Sequence, residues 1–429
     1  MELKNFEGFK YIDGGVCASK GFKANGIYCG ITNKPLASDK SNEPQVVDTS
    51  KKKNDVGLIF CEKKCNAAAV YTLNKVKGAP IIVTRKNIAD GFAQAVIVNS
   101  KNANTCNANG EEIAQKMCEM TAKALGINAD DVIVASTGVI GQPLYIDPIE
   151  KKMSELAEGL SSNKSEECAT SIMTTDTFKK EVAVEFEIDG IICHLGGMAK
   201  GSGMIHPNMA TTLNFITTDV AISTKMLQTA LDKVVKITYN CLSIDGDTST
   251  NDMVSVMASG LAGNNEITDE NSLEYKKFEN ALYVVMMNMT RMLAKDGEGA
   301  SKLLECNVTG ATSQEKAIIV AKSVITSSLF KAAMFGSDAN WGRVLCAIGY
   351  AETDVDIDKI DVSFASKQGS IDVCKNGKGL DFSEDIAKKI LLEDEININI
   401  NLNNGDSEAT AWGCDLTYDY VKINGDYRS

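Results

Sequence analysis

Short apolar runs bounded by polar residues recur through the first half of the chain. Residues 56–60 and 95–98 are continuously apolar, which predicts short buried strands, and residues 131–135 read the same way. Residues 111–125 place apolar side chains at helical spacing and stop before Gly126, as a helix end does. Between residues 181 and 195 the pattern EVAVEFEIDGIICHL alternates around Asp189-Gly190, which predicts a hairpin. Further along, residues 224–238, 272–295 and 313–324 carry helical patterns, while 361–364, 396–402 and 416–423 read as strands. Residues 35–55 are polar, charged and without sustained periodicity, so a surface loop is expected there. Helices and strands therefore mix throughout, which indicates an α/β or α+β chain of layered sheets and helices. Periodicity does not choose the topology.

Length and charge narrow the function classes. At 429 residues the chain has material for about two or three compact units. Its 44 Lys+Arg against 57 Asp+Glu give a net charge of −13, and no basic stretch exceeds Lys51-Lys52-Lys53. A nucleic-acid or anionic-membrane surface needs clustered cations, so small-molecule or protein partners are expected instead. The start lacks the pattern of a signal peptide and the most apolar stretch, residues 281–287, is too short to span a bilayer; a cytoplasmic protein is expected. Thirteen cysteines spread from Cys17 to Cys414 read as reduced, mostly buried thiols, and the close pair Cys61 and Cys65 lacks a second pair at zinc-ligand spacing. No metal is expected. Only His194 and His206 are available for imidazole chemistry, so an enzyme built on this sequence should use another base.

The densest run of small and polar residues is GGMAKGSGMIHPNMATTLNFITTD, residues 196–219. Glycine costs about 1 kcal/mol in a helix and Pro207 interrupts a ladder, so an irregular, closely packed backbone is expected. Neither the Walker spacing nor a dinucleotide GxGxxG is present in it.

From Lys200 to Asp219 the chain resembles the signature of the ornithine acetyltransferases, also called glutamate N-acetyltransferases, the bifunctional acetyltransferases of arginine biosynthesis. The resemblance continues in NKVKGAP (74–80), VNSKNAN (98–104), ASTGVIG (135–141), TTD (174–176), GDTSTNDMV (246–254), DGEGA (296–300), GSDANWGR (336–343) and the terminal ATAWGCDLTYDYVKINGDYRS. Lys101, His206 and Thr212 stand where glycine, alanine and methionine are commoner in that family.

The resemblance implies an N-terminal-nucleophile aminopeptidase-like fold with two subdomains, and a precursor that cleaves itself between Ala210 and Thr211. Residues 1–210 would form an α chain and 211–429 a β chain, two of each assembling as a heterotetramer. A free N-terminal threonine carries its own base, because its α-amine has a pKa of about 7.7–8.0 and lies beside the hydroxyl. Thr211 would then be the nucleophile, with Thr137 and Gly138 as the oxyanion hole and Thr174, Lys200, Thr211, Glu298, Asn424 and Ser429 as substrate contacts. In isolation Lys200 and Glu298 read as solvated surface charges, and Thr137-Gly138 as an ordinary turn after a strand. The implied reaction moves acetyl from N2-acetylornithine to glutamate, without a cofactor and with acetyl-CoA as a further co-substrate in bifunctional members. A hydrolase of the same fold, a monofunctional acetyl recycler and a non-catalytic metabolite-binding protein are the alternatives. The chain charge would divide at the cut: 24 Lys+Arg and 25 Asp+Glu precede it, a net of −1, leaving 20 and 32 after it, a net of −12.

Overall fold

A computed structural model describes residues 2–31, 53–206 and 212–426. In chain order the strands are β1 (Lys10–Tyr11), β2 (Phe22–Ile27), β3 (Val56–Tyr71), β4 (Phe92–Asn99), β5 (Val132–Ser136), β6 (Lys180–Ile188), β7 (Ile191–Lys200), β8 (Leu213–Thr218), β9 (Leu242–Ser243), β10 (Met253–Ala258), β11 (Leu303–Ala311), β12 (Asp361–Ser366), β13 (Gly369–Lys375), β14 (Lys378–Gly379), β15 (Glu395–Asn401) and β16 (Ser407–Cys414). The helices are α1 (Ala79–Asn87), α2 (Gly110–Leu125), α3 (Asp147–Glu158), α4 (Ser165–Ser171), α5 (Thr224–Ile237), α6 (Leu273–Lys295), α7 (Gln314–Thr326), α8 (Ser328–Phe335), α9 (Trp341–Gly349), α10 (Glu384–Leu391) and α11 (Tyr418–Asp426).

Two mixed sheets organise these elements. The larger runs β1-β6-β7-β8-β10-β3-β4-β5, with β2 added to β3; the smaller runs β14-β13-β12-β15-β11-β16-β9. This is the layered α/β architecture that the sequence indicates. The larger sheet is covered on both faces, which explains the unbroken apolar runs. Val132 and Val134 pack with Ile113 and Met117 of α2, while Ile133 and Ala135 on the opposite face pack with Cys168 and Ile172. In the smaller sheet β15 reads EINININ, its isoleucines 396, 398 and 400 buried and its asparagines turned the other way. Helix α6 packs against β6 and β7 of one sheet and β11 and β16 of the other, so it is buried on nearly all sides. The division at residues 210 and 211 is one of the chain rather than of the sheets, because β7 and β8 are hydrogen-bonded neighbours on either side of it.

Local signals place most boundaries. Ser272 and Ser313 cap α6 and α7 by accepting the N–H groups of Tyr275 and Lys316. Gly126 ends α2 at a φ of 69°. The hairpin turn between β6 and β7 is Asp189-Gly190, with φ values of 50° and 75°. All thirteen cysteines are free and ten are buried. Burial pushes thiols such as Cys17 and Cys118 up to about 12, so they stay protonated.

Three expectations need correction. Residues 416–423 do not form a strand: Thr417 Oγ1 accepts the Tyr420 N–H and Asp419 sits in the first turn, which starts α11 instead. Alternation misled there because no sheet edge receives the segment. Residues 196–200 and 213–218 are not irregular but form β7 and β8, paired from Leu195↔Thr218 to Lys200↔Leu213. The glycines serve close approach instead: a Cβ on Gly196 would lie 2.0 Å from the Gly15 carbonyl oxygen. Of the expected loop 35–55, residues 35–52 lie outside the described residues. Its last residue, Asp55, is fully buried and accepts the N–H groups of Cys29, Gly30 and Ile31 at 2.6, 3.0 and 2.9 Å.

Candidate functional site

Strands β5, β7, β8 and β10 end near one another, and the residues beyond their ends build a cleft. After β5 the chain turns through Thr137 and Gly138. The Thr137 N–H is already used, donating to Asn99 O at 2.9 Å, and its hydroxyl lies 3.3 Å from the Lys200 ammonium. Gly138, by contrast, donates its N–H to no group among the described residues. Its φ is 129°, and a Cβ there would sit 2.2 Å from the Lys101 carbonyl carbon and 2.5 Å from Asn102 N. Only glycine lets the turn close this tightly. Asn251, just before β10, braces the turn by donating to Ser136 O at 2.9 Å and to Ala103 O at 2.5 Å.

Lys101, under this turn, is one of the departures from the resembled pattern. It holds a φ of 72°, which explains why glycine suits the position. Its ammonium offsets that strain by meeting the buried Asp55 at 2.9 Å and lying 5.0 Å from the Tyr28 ring centre.

A cavity of about 170 Å³ opens beside the turn. Its wall brings together Thr137, Gly138, Thr174, Lys200, Glu298 and Asn424, six of the residues singled out from the sequence, drawn from both sides of Ala210-Thr211. Asn424 of α11 donates to Glu298 Oε2 at 2.8 Å. Helix α11 reaches the cleft because it rests on Gly299, where a Cβ would meet Tyr420 N at 2.6 Å, and because Thr417 Oγ1 donates to Gly299 O at 2.7 Å. Ala210, Thr211 and Ser429 lie outside the described residues. Thr212, next in the chain, is buried, and its carbonyl accepts the Met253 N–H at 3.0 Å. His206 does not line the cleft: its Nδ1 pairs with Ser243 Oγ at 3.0 Å, and burial lowers its pKa.

Electrostatically the cleft holds a half-buried lysine, Lys200, among carboxyls. Burial lowers the Lys200 pKa, while Asp176 and, more weakly, Asp252 and Glu298 pull it back. Asp252 is 3% exposed, and its Oδ2 has no hydrogen-bond partner among the described residues. Burial pushes its carboxyl well above the ordinary range, against a hydrogen bond from Ser249 and the Lys200 charge. The residues that the sequence reading left without roles are these two carboxyls and the wall residues Ser249, Thr250 and Asn251. For Asp252 and the wall residues the signal was the GDTSTND run, dense in small hydroxyl and amide side chains just before a buried strand; Asp176 lies in the TTD run, 174–176.

Among the described residues no group of three or more His, Cys, Asp or Glu side chains is arranged to hold a metal ion. No single described helix is long and apolar enough to cross a membrane.

Comparison with known proteins adds the lineage. The arginine biosynthesis bifunctional protein ArgJ 1 of Clostridium acetobutylicum is 50% identical over 378 residues, 88% of this chain and 92% of its own length. The ArgJ protein of Caldanaerobacter subterraneus is 44% identical over 97% of this chain and 99% of its own. The crystal structure of the ArgJ protein from Bacillus halodurans is 45% identical with a TM-score of 0.47, covering 50% of this chain and 98% of that one. A model of the ArgJ family matches residues 44–429, nearly the whole sequence, and the chain belongs to that family.

Proposed function

We propose that this chain transfers the acetyl group of N2-acetylornithine to glutamate through an acetyl-threonine intermediate on Thr211, the acetyl transfer of arginine biosynthesis that its family carries out. The observation that carries the reading is the convergence of Thr137, Gly138, Thr174, Lys200, Glu298 and Asn424 on one cleft. Cleavage between Ala210 and Thr211 would free the threonine α-amine, which takes the proton from Oγ as Oγ attacks the acetyl carbonyl. The oxyanion then needs donors. The Gly138 N–H, which has no partner among the described residues, and the Thr137 hydroxyl are suited to this, and Lys200 stands behind them to polarise that hydroxyl. Ornithine leaves, and the glutamate amine attacks the acyl-enzyme.

Glu298 is the anion suited to an ammonium of the substrate and Lys200 the cation suited to a carboxylate. Acetyl-CoA loads the same threonine in a bifunctional enzyme. The proposal extends to a cytoplasmic heterotetramer of two α chains, 1–210, and two β chains, 211–429, with Ser429 reaching the substrate.

Intact mass and N-terminal sequencing test the scheme. The purified protein should contain two chains, the second beginning at Thr211, and Thr211→Ala should remain a single polypeptide without turnover. Acetyl transfer by an uncleaved wild-type chain, or by Thr211→Ala near the wild-type rate, would refute the mechanism. Measuring acetylglutamate against free acetate separates the transferase from a hydrolase. Labelled acetyl-CoA separates the bifunctional enzyme from a recycler.

A further inference from the structure

One buried amide joins the start of β10 to the turn after β5. The Asn251 side chain is 6% exposed, and both its N–H groups and both its lone pairs are used. Its Nδ2 donates to Ser136 O at 2.9 Å and to Ala103 O at 2.5 Å, while its Oδ1 accepts the hydroxyls of Thr105 and Thr250, each at 2.6 Å. Carbonyl oxygens only accept, so the side-chain nitrogen must face them and the amide cannot turn over. Space around it is short: a Cβ on Gly78 would lie 2.5 Å from Asn251 Nδ2.

These bonds reach two parts of the site at once. A peptide unit is planar, so holding Ser136 O also fixes the Thr137 N–H, and the Gly138 N–H follows one residue on. The Thr137 and Val139 N–H groups donate to Asn99 O at 2.9 Å and Lys101 O at 3.1 Å, whereas the Gly138 N–H between them donates to no described group. On the other side, Met253, two residues after Asn251, donates its N–H to Thr212 O at 3.0 Å. The start of β10 therefore grips both the donor-bearing turn, from before Ala210-Thr211, and the strand that follows it. With every polar atom of its side chain spent, Asn251 has none left for a substrate.

We propose that Asn251 is a positioning residue that sets the Gly138 N–H relative to β8, and that its effect falls on the chemical step rather than on substrate binding. This rests on the reading above, in which Thr137 and Gly138 form the oxyanion hole. Oxyanion donors act only where the charge develops, and a misplacement of about 1 Å costs about 10²-fold in rate. Without the amide, the Ser136 and Ala103 carbonyls lose their shared donor and the turn loses its tie to β10.

The test is the burst of ornithine released from acetylornithine without glutamate, in Asn251→Leu read beside Gly138→Ala. Leucine keeps the branched shape of asparagine and removes both donors. The burst amplitude counts competent sites, and its rate constant reads acylation by Thr211. In Asn251→Leu the amplitude should stay near one ornithine per site while the rate constant falls about 10²-fold, with KM for acetylornithine changed only severalfold. A rate constant within threefold of wild type would overturn the proposal. So would a reduced amplitude at an unchanged rate constant, since that is the mark of a purely structural role. If Gly138→Ala keeps the wild-type rate constant, the oxyanion reading fails first and takes this proposal with it; a slow Gly138→Ala beside a fast Asn251→Leu removes Asn251 alone. Should Asn251→Leu not fold, Asn251→Ser, with one proton to donate where the amide has two, goes through the same assay. If both variants fail to fold, or fold but stay uncleaved by intact mass, Asn251 acts before the transfer reaction and the proposal falls.

Discussion

Replacing Lys180 with methionine tests how this site is held. The substitution keeps most of the apolar stem, which packs so that the ammonium lies 5.0 Å from the Phe178 ring centre, and removes only the cation. Two carboxylates lose their counter-ion at once, Asp176 at 2.7 Å and Asp296 at 2.5 Å, with side-chain exposures of 0% and 2%. Backbone N–H groups of Thr174, Gly201 and Thr177 remain, so the charges are solvated in part but not neutralised. Removing one partner of a buried pair costs about 3–5 kcal/mol, a large share of the roughly 5–15 kcal/mol that holds a domain folded. Urea unfolding followed by the fluorescence of buried Trp412 measures the loss at pH 7.

The pH dependence of that loss carries the sharper test. Burial acts to raise the Asp176 carboxyl, but the Lys180 and Lys200 charges and the Gly201 N–H outweigh it and hold the group well below the usual range. A carboxyl depressed in the folded state contributes stability that is fully present above its unfolded pKa of about 3.9, and that contribution is lost as pH falls through the folded value. In Lys180→Met the depression shrinks, so acid neutralises the stranded carboxylate earlier. The deficit against wild type should therefore narrow between pH 7 and pH 3. A loss under about 1 kcal/mol at pH 7, or a deficit that stays constant down to pH 3, would refute the assignment of this cluster as a charge-compensated core.

Two further outcomes are expected. Gly138→Ala must move the Lys101–Asn102 backbone by more than an ångström to admit its Cβ, which displaces the Gly138 N–H. Its kcat should fall about 10²–10³-fold with KM changed only severalfold, and a kcat within fivefold of wild type would remove Gly138 from the oxyanion hole. Asn424→Ala removes the 2.8 Å bond to Glu298 in an exposed setting, where such a bond contributes about 0.5–1.5 kcal/mol. KM for acetylornithine should rise about two- to tenfold; unchanged kinetics would make α11 a packing element alone.

The sequence by itself determined the elements whose causes are local. Serine caps at 272 and 313, the Asp189-Gly190 turn and the alternation of 395–401 each act within a few residues, so the pattern and the structure agree there. The motif resemblance pointed to Thr137, Gly138, Thr174, Lys200, Glu298 and Asn424, but their spacing along the chain carries no information about distance. Only the tertiary structure decided that they share one cleft, because β7, β8 and β10 are neighbours and α6 and α11 end beside them. It also decided what periodicity misread. Residues 418–426 are helical because a hydroxyl caps them, and Gly196 of β7 is there because the turn at Gly15 packs directly upon it. Asp176, Lys180 and Asp296 look like any other surface charges in the sequence. Folding removes their water, and each then depends on the others, a dependence that arises from burial and that no one-dimensional pattern records.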